Sequence, residues 1–209
     1  GLFDIKEFTI KEKSDNYVFE FEFLALNDPW QSRFGFSLPL IELYIDNDKE
    51  GTVGLLEEGA NVNLDSEHPW NKMIKLSGWW VLLYEDNENI DEVVSIDSDI
   101  TESKWQVEES EVKREKNKII MEIPKNKLGE MANSYVQLLI GSFDPFGPGH
   151  FREIDNKTSR WEFHAPSLEN PKIATRVIDT IVPENYSQEE LLSLDNENGP
   201  QLKAIKLKK

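Results

Sequence analysis

Apolar and polar residues alternate at every second position over much of this chain. From Tyr17 to Phe23, aromatic residues at odd positions alternate with Glu20 and Glu22. Successive side chains of a β-strand point to opposite faces, so this segment predicts a half-buried antiparallel strand. The same alternation recurs at residues 41–45, 118–123 and 136–140.

Two segments modify this pattern. The apolar positions near the start of the chain change parity, from Phe3 and Ile5 to Phe8 and Ile10, which predicts a β-bulge near residues 6 and 7. The run 74–84 is apolar on both faces and predicts one central strand, with a tryptophan directed to each side at positions 79 and 80. At least one of these two tryptophans is therefore expected in the core.

Turn and helix signals complete the predicted fold. Residues 114–117 predict a hairpin between strands at 105–113 and 118–123, and further strands are expected at 177–182 and 202–207. Ser187 and Glu190 form a capping box that predicts a short helix, and a second helical turn is expected at 125–128, before Gly129. About nine strands and two short helices predict an all-β fold, an antiparallel β-sandwich of immunoglobulin or jelly-roll type.

The predicted organisation is a single module over residues 1–209. The chain enters its first strand almost at once, which suggests a piece excised from a longer extracellular protein. Four long loops, at 27–37, 47–71, 143–172 and 193–201, interrupt the strands. Loops on a rigid sandwich commonly carry function, so a functional site is expected in these four loops.

Composition excludes several classes of protein. The chain has 40 acidic and 23 basic residues, a net charge of −17 and no cysteine. Such a charge is opposite to that of a nucleic-acid reader, and no apolar stretch is long enough for membrane insertion. The three histidines form no zinc-protease motif, and no Gly-x-Ser-x-Gly motif is present. A hydrolase using two carboxylates stays open as an alternative, because their separation is a three-dimensional property.

Acidic and amide residues in the loops predict a Ca²⁺ site. Hard cations take six to eight oxygen ligands from carboxylates, amides and carbonyls. The alternatives are a solvated acidic loop in the second long loop and a rigid turn at Asp144, which lies in a segment rich in proline and glycine. The predicted ligands are Asp46, Asp48, Asn61, Asn63, Asp65 and Asp144.

Tryptophans in the loops predict a carbohydrate platform. The C–H faces of sugars stack on aromatic rings, while neighbouring polar groups bind the hydroxyls. Trp30, Trp70 and Trp161 lie in loops, and Asp28 and Asn71 stand close to them in sequence. For each tryptophan taken alone, a place in the core is the competing interpretation.

Short motifs follow one another in a characteristic order. They are Leu2-Phe3-Asp4-Ile5, Asn27-Asp28-Pro29-Trp30, Gly35-Phe36-Ser37, Leu43-Tyr44-Ile45-Asp46, Gly59-Ala60-Asn61-Val62-Asn63, Ser66-Glu67-His68-Pro69-Trp70, Ser77-Gly78-Trp79, Arg176-Val177-Ile178-Asp179 and Ser187-Gln188-Glu189-Glu190-Leu191-Leu192. This series resembles the C-terminal binding module of glucodextranase over nearly the whole chain. Similar modules occur in amylopullulanases and cell-surface proteins.

The resemblance implies a β-sandwich related to the DOMON group and to a family of xylan- and cellulose-binding modules. It implies a non-catalytic module, not an enzyme, with calcium sites. The function expected is carbohydrate binding, to a polysaccharide or oligosaccharide, within an extracellular enzyme that degrades starch-type glucans. The alternative is a structural surface-layer or cell-wall domain held by Ca²⁺, whose partner is a cell-wall or surface-layer polymer. Either implies an extracellular or cell-surface location.

Overall fold

The computed structural model describes residues 1–47, 50–85, 111–157, 162–166, 173–193 and 199–207. It is built mostly from antiparallel β-sheets, as the alternation predicts. In chain order the strands are β1 (Ile5–Lys13), β2 (Asn16–Phe23), β3 (Pro39–Asp46), β4 (Lys72–Leu76), β5 (Val81–Glu85), β6 (Val112–Glu115), β7 (Lys118–Pro124), β8 (Tyr135–Ser142), β9 (Ile154–Asp155), β10 (Phe163–His164), β11 (Val177–Asp179) and β12 (Ile205–Lys206). The helices are α1 (Lys125–Leu128) and α2 (Gln188–Leu191), with a 3₁₀ turn at Pro148–His150.

The strands form two main sheets. The first sheet has the order β1-β2-β7-β6, and the second has the order β11-β8-β3-β4-β5, with β12 also paired to β8. Strands β9 and β10 make a small separate parallel pair. The register of β1 against β2 shifts between Ile5 and Glu7, which confirms the predicted bulge.

The main core lies between the two sheets. Every second residue of β2 is buried there, because the strand presents its aromatic residues to one side and its glutamates to the other. Residues with the same alternation in β3, β4, β7 and β8 complete the core. Its members include Phe19, Phe21, Phe23, Ile41, Leu43, Ile45, Ile74, Leu76, Met121, Leu138 and Ile140.

A second core covers the opposite face of the second sheet. Leu40 and Tyr44 of β3, with Met73 of β4, pack there against apolar side chains of the long loops, including Trp70 and Phe143. The loops thus form a third layer on this sheet. That layer explains why β3 and β4 are buried on both faces.

The prediction of one central strand over 74–84 is wrong. Strands β4 and β5 are separated by a turn in which the Ser77 N–H donates to the Trp80 carbonyl at 3.0 Å. Trp79 and Trp80 occupy this turn, are partly exposed and pack against the second core. An apolar run hides a hairpin when both faces of both strands are buried, because no alternation marks the reversal.

The other local signals agree with the structure in type. Ser187 and Glu190 make the reciprocal bonds of a capping box at the start of α2, and α1 spans the residues expected. The hairpin between β6 and β7 is confirmed with a tighter loop of Lys116 and Asn117. The strand predictions at 177–182 and 202–207 shorten to β11 and β12. Residues 105–110 of another predicted strand lie outside the described residues.

Candidate functional site

Three loops meet at one end of the second sheet. They are residues 27–38 before β3, the turn 77–80 between β4 and β5, and residues 143–153 after β8. The register places them side by side, because Pro39 pairs with Ser142 and Ile41 pairs with Leu76. Residues far apart in sequence are thereby assembled into one surface.

The first two loops touch backbone to backbone. A Cβ atom at Gly78 would lie 1.7 Å from the carbonyl oxygen of Phe36, so only glycine allows this approach. The Phe34 N–H donates to the Gly78 carbonyl at 2.9 Å, and the Ser32 hydroxyl donates to the Phe36 carbonyl at 2.7 Å. The Asp28 carboxylate accepts the Ser32 N–H at 2.9 Å and closes the turn. Asp28 therefore shapes the loop that carries Trp30.

The aromatic cluster, as we name it, consists of Trp30, Trp79, Trp80, Phe143 and His150. Trp30 stacks on Trp79 with ring centroids 6.2 Å apart, and Trp79 packs on Phe143 at 5.0 Å. His150 stacks parallel to Phe143 at 6.2 Å, and Trp80 meets both rings edge-on. Phe143 is buried, whereas Trp30 is 40% exposed at the outer end. The cluster thus runs from the second core to a partly exposed tryptophan.

Arg152 adds a cation to this cluster. Its guanidinium carbon lies 5.3 Å from the centroid of the Trp30 ring, a cation–π contact. Its Nη2 donates to the Phe143 carbonyl at 3.2 Å, while its buried Nε has no hydrogen-bond partner among the described residues. Such unsatisfied groups are unusual in proteins and are often met by water or a ligand.

His150 supplies a second unsatisfied polar atom. Its Nδ1 is buried and has no hydrogen-bond partner in the described part of the chain. Burial lowers the pKa of His150, and the positive charge of Lys75 lowers it further. The imidazole is therefore neutral at neutral pH, and its Nδ1 is a donor or an acceptor depending on the tautomer.

The loop that carries His150 is closed on itself. The Asp144 N–H donates to the His150 carbonyl at 2.8 Å, and the Asp144 carboxylate accepts the Phe146 N–H at 3.0 Å. A Cβ at Gly147 would lie 2.0 Å from the Phe151 carbonyl oxygen, so the chain doubles back tightly here. This rigid turn is the role that the structure gives to Asp144.

Three charged side chains lie beneath the loops, and we call them the ion triad: Glu42 of β3 and Lys75 of β4, which are buried, and Glu57, which is 25% exposed. The Lys75 ammonium is fully buried, 3.1 Å from Glu42 and in contact with Glu57. Burial raises the pKa of Glu42, although Lys75 opposes this effect. For Lys75, burial alone would lower the pKa, but the two carboxylates outweigh it and keep the ammonium charged.

The ion triad ties a loop to the sheet, and that loop supports the aromatic cluster. Glu42 accepts the Tyr44 hydroxyl at 2.9 Å, and that hydroxyl accepts the Leu56 N–H at 3.3 Å. A few residues on, Gly59 packs so closely that a Cβ would lie 2.1 Å from the Pro148 carbonyl oxygen. Segment 56–59 thus bridges the buried charges and the loop that carries His150.

The predicted carbohydrate-binding residues lie in different parts of the structure. Trp30 lies in the aromatic cluster, but Trp70 is only 2% exposed, which contradicts its expected place on an open surface. Its indole N–H donates to the Gly54 carbonyl at 2.7 Å, and its ring packs edge-on against Tyr44 in the second core. Asn71 is also buried and donates to the Asn47 side chain at 2.7 Å. Trp161 lies outside the described residues.

The predicted metal ligands do not form one site as the structure places them. They contact different partners: Asp46 pairs with His68, Asn61 donates to the Ala174 carbonyl, Asn63 donates to the Pro200 carbonyl, Asp65 pairs with Lys203, and Asp144 holds its own loop. Asp48 is outside the described residues. Within the described ranges, no group of three or more His, Asp or Glu side chains is arranged to hold a metal ion.

Asp65 shows why an acidic residue in a loop need not be a metal ligand. Burial would raise its pKa, but the Ala204 N–H, the Lys203 ammonium and the Glu67 N–H together lower it. Its carboxylate therefore has its donors within the protein. It fixes the segment before β12 to the loop layer.

Sequence reasoning missed much of this site. The pattern places Trp79 and Trp80 in a strand. Lys75 is the one lysine in that apolar run, and nothing in the pattern indicates that it is buried in an ion pair. The available signal was Ser77-Gly78, a turn dipeptide inside that run. Nothing in the sequence pattern would have paired His150 with Phe143 and Trp80, because their contact depends on the register of β8 against its neighbours.

This chain matches a family of binding modules. The family model described as the SLH-like C-terminal binding module of glucodextranase matches residues 1–205. The chain belongs to this family. The matched region is thus a binding module and not a catalytic domain. A search of curated proteins finds no match. Among the described residues, no helix combines the length and the apolar character needed to cross a membrane.

Proposed function

We propose that this glucodextranase-type module binds a neutral glucan chain at the aromatic cluster. The observation that carries the proposal is the exposure of Trp30, which is 40% accessible and is held by Trp79 and Arg152 at one end of the sandwich. A sugar ring stacks its C–H face on such a surface. Because Trp79 and Arg152 hold the indole, little side-chain entropy would be lost on binding.

Polar groups at the cluster support the same function. The Nδ1 of His150 and the Nε of Arg152 lack hydrogen-bond partners among the described residues. Sugar hydroxyls both donate and accept, so they suit an imidazole and a guanidinium equally. Both atoms are buried, so a sugar hydroxyl would reach each of them through a bridging water.

Charge favours an uncharged ligand over an anionic one. The protein has a net charge of −17, and Asp144 and Glu153 lie in the same loop as Arg152. A polyanion would meet repulsion over most of this surface. A neutral glucan meets none, which agrees with a module from a glucan-degrading enzyme.

Titration with oligosaccharides tests the proposal. Intrinsic tryptophan fluorescence would be followed while starch, glucan and xylan oligosaccharides are added to the wild type and to Trp30→Ala. We expect a saturable change for a glucan in the wild type and an affinity at least about tenfold weaker in the variant. Tyr186→Ala is the matched control, because Tyr186 is also an exposed aromatic residue but lies outside the aromatic cluster.

Two results would contradict the proposal. If Trp30→Ala binds as tightly as the wild type, the sugar site is elsewhere. If no oligosaccharide changes the fluorescence or the thermal unfolding of the wild type, the module is not a binder of these glycans.

A second candidate function is retention at the cell surface, and the SLH-like description of the family favours it. In this version the partner is a cell-wall or surface-layer polymer and Ca²⁺ stabilises the domain. EDTA would then lower the thermal unfolding temperature strongly, while oligosaccharides would have no effect. In both versions we propose that the parent protein works outside the cell or at its surface.

A further inference from the structure

Phe146 is the most exposed large apolar residue in the described part of the chain. Its side chain is 95% accessible, at the tip of the loop that runs from Asp144 to His150. A phenylalanine ring offers a large apolar area without any polar atom. At this position it packs against almost nothing within the protein, so folding does not account for its presence.

The backbone under Phe146 is fixed. The Asp144 carboxylate holds the Phe146 N–H, and the ends of the loop are joined by the bond from the Asp144 N–H to the His150 carbonyl. The backbone at Gly147 passes so close to the Phe151 carbonyl that a side chain there would clash with it. The backbone is thus preorganised at Phe146, which reduces the entropy lost when something binds to its side chain.

The loop connects Phe146 to the aromatic cluster at both ends. Phe146 is three residues after Phe143 and four residues before His150, and those two rings are stacked on each other. Four extended residues span at most about 14 Å, so Phe146 lies within that distance of the cluster along the backbone. An elongated ligand bound at the cluster would therefore pass near the loop that carries Phe146.

We infer that Phe146 is a second aromatic contact for the saccharide that binds at Trp30, so the site takes a chain of several sugar units. This inference rests on the proposed function and deepens it. A single sugar would stack on Trp30 alone, and each further unit would extend the chain toward the Phe146 loop. Affinity should then rise with chain length until the chain reaches Phe146.

The surrounding charges argue against a lipid surface as the occupant. Asp144 and Glu153 lie on the same loop, and Glu58 is in the segment packed against it. An anionic membrane attracts basic segments and repels acidic ones. A neutral polysaccharide, which presents apolar C–H faces, has no such conflict with an exposed phenylalanine framed by carboxylates.

Chain-length dependence tests the inference. Isothermal titration would compare glucose and linear glucan oligosaccharides of increasing length on the wild type and on Phe146→Ala. We expect equal affinity for the shortest ligands that bind and a loss of about five- to tenfold for the longest. Phe146→Tyr should retain the wild-type profile, and Val53→Ala controls for loss of an exposed apolar side chain elsewhere.

Three results would overturn the inference. Phe146→Ala with wild-type affinity for the longest oligosaccharide would remove Phe146 from the site while leaving the function of Trp30 intact. Wild-type binding to phosphatidylcholine vesicles that Phe146→Ala abolishes, with oligosaccharide affinity unchanged, would assign the residue to a membrane. A wild type that binds no glucan of any length would defeat both this inference and the proposed function.

Discussion

The outer faces of the two sheets carry the same kind of side chain in opposite environments. On the first sheet, lysines and glutamates pair across strands in contact with solvent: Lys6 with Glu22, Lys11 with Glu20, Lys13 with Glu122, and Lys118 with Glu20 and Glu22. On the second sheet, Lys75 and Glu42 are buried beneath the loops and meet Glu57 from above.

The difference shows that burial, and not the pairing itself, decides what an ion pair does. Exposed pairs contribute little to stability because water screens them and because long side chains lose entropy. The pairs of the first sheet keep that face polar, and their charges on the edge strand β1 disfavour its pairing with another chain. A buried pair is costly to disrupt, since the remaining charge has no water. The ion triad can therefore hold the loop layer in one arrangement.

Removing the buried lysine should have the largest effect. Lys75→Met leaves Glu42 buried without its cation, and we expect the free energy of unfolding to fall by about 3 kcal/mol. Urea denaturation followed by tryptophan fluorescence measures this change. The double variant Glu42→Gln with Lys75→Met should recover most of the loss. A loss below about 1 kcal/mol for the single variant would make the triad equivalent to a surface pair.

Separating the loops should have the next largest effect. In Gly78→Ala the new Cβ meets the Phe36 carbonyl oxygen, so the loop that carries Trp30 must move away from Trp79. We expect a stability loss of about 1–3 kcal/mol and weaker glucan binding. Gly54→Ala is the matched control, because no atom lies within 4 Å of its Cβ position. If Gly78→Ala binds glucan with wild-type affinity, the Trp30–Trp79 stack is not needed for binding.

The two faces should respond to pH in opposite directions. Burial raises the pKa of Glu42 above its ordinary 4.5, so stability is lost as pH rises from that value toward the folded pKa. Hydrogen bonds from Lys11 and Lys118 lower the pKa of Glu20, so its contribution is present above 4.5 and is lost as pH falls through the lowered value.

Glutamine variants make this contrast measurable by denaturation between about pH 3 and pH 7. Relative to the wild type, Glu42→Gln should become more stable as pH rises above 4.5, the ordinary glutamate value. Glu20→Gln should be slightly less stable than the wild type above that value and equal to it at the acid end. Parallel profiles for the two variants would show that the buried glutamate experiences the same environment as the exposed one.

The smallest effect is expected from the surface lysine that matches Lys75. Lys118→Met removes one of the two lysines that pair with Glu20 and one of the two that pair with Glu22 in the first sheet, and we expect a loss of at most about 1 kcal/mol. Repeating the urea titration at about 1 M salt should reduce the difference further, because the Debye length is then about 3 Å. A loss as large as that of Lys75→Met would mean that the solvated network is cooperative.

The two regions also differ in how far the sequence predicted them. The first sheet follows from alternation alone, since one face is buried and the other is wet, and even its bulge is visible in the parity of Phe3, Ile5, Phe8 and Ile10. The second sheet is buried on both faces, so its alternation is masked. The hairpin at Ser77 and Gly78 was therefore missed, although β3 and β8 were found.

The candidate site was predicted in part. Trp30 and Asp28 were named from their loop, and the structure joins both to one surface. Trp70 has the same sequence context of a polar, proline-containing loop, but it fills the space between that loop and β3. Burial of an indole ring is favourable wherever the fold leaves space for it. Whether such a space exists depends on how two distant segments pack together.

The sequence by itself determined the class of fold, the helix caps, the bulge and the acidic, cysteine-free character, because each depends on residues close together along the chain. The tertiary structure alone decided which tryptophan faces solvent, which lysine is buried and which acidic residues have donors within the protein. Those outcomes depend on the register of β8, β3 and β4 and on how the loops pack over them. Burial and pairing are properties of residues brought together from distant parts of the chain.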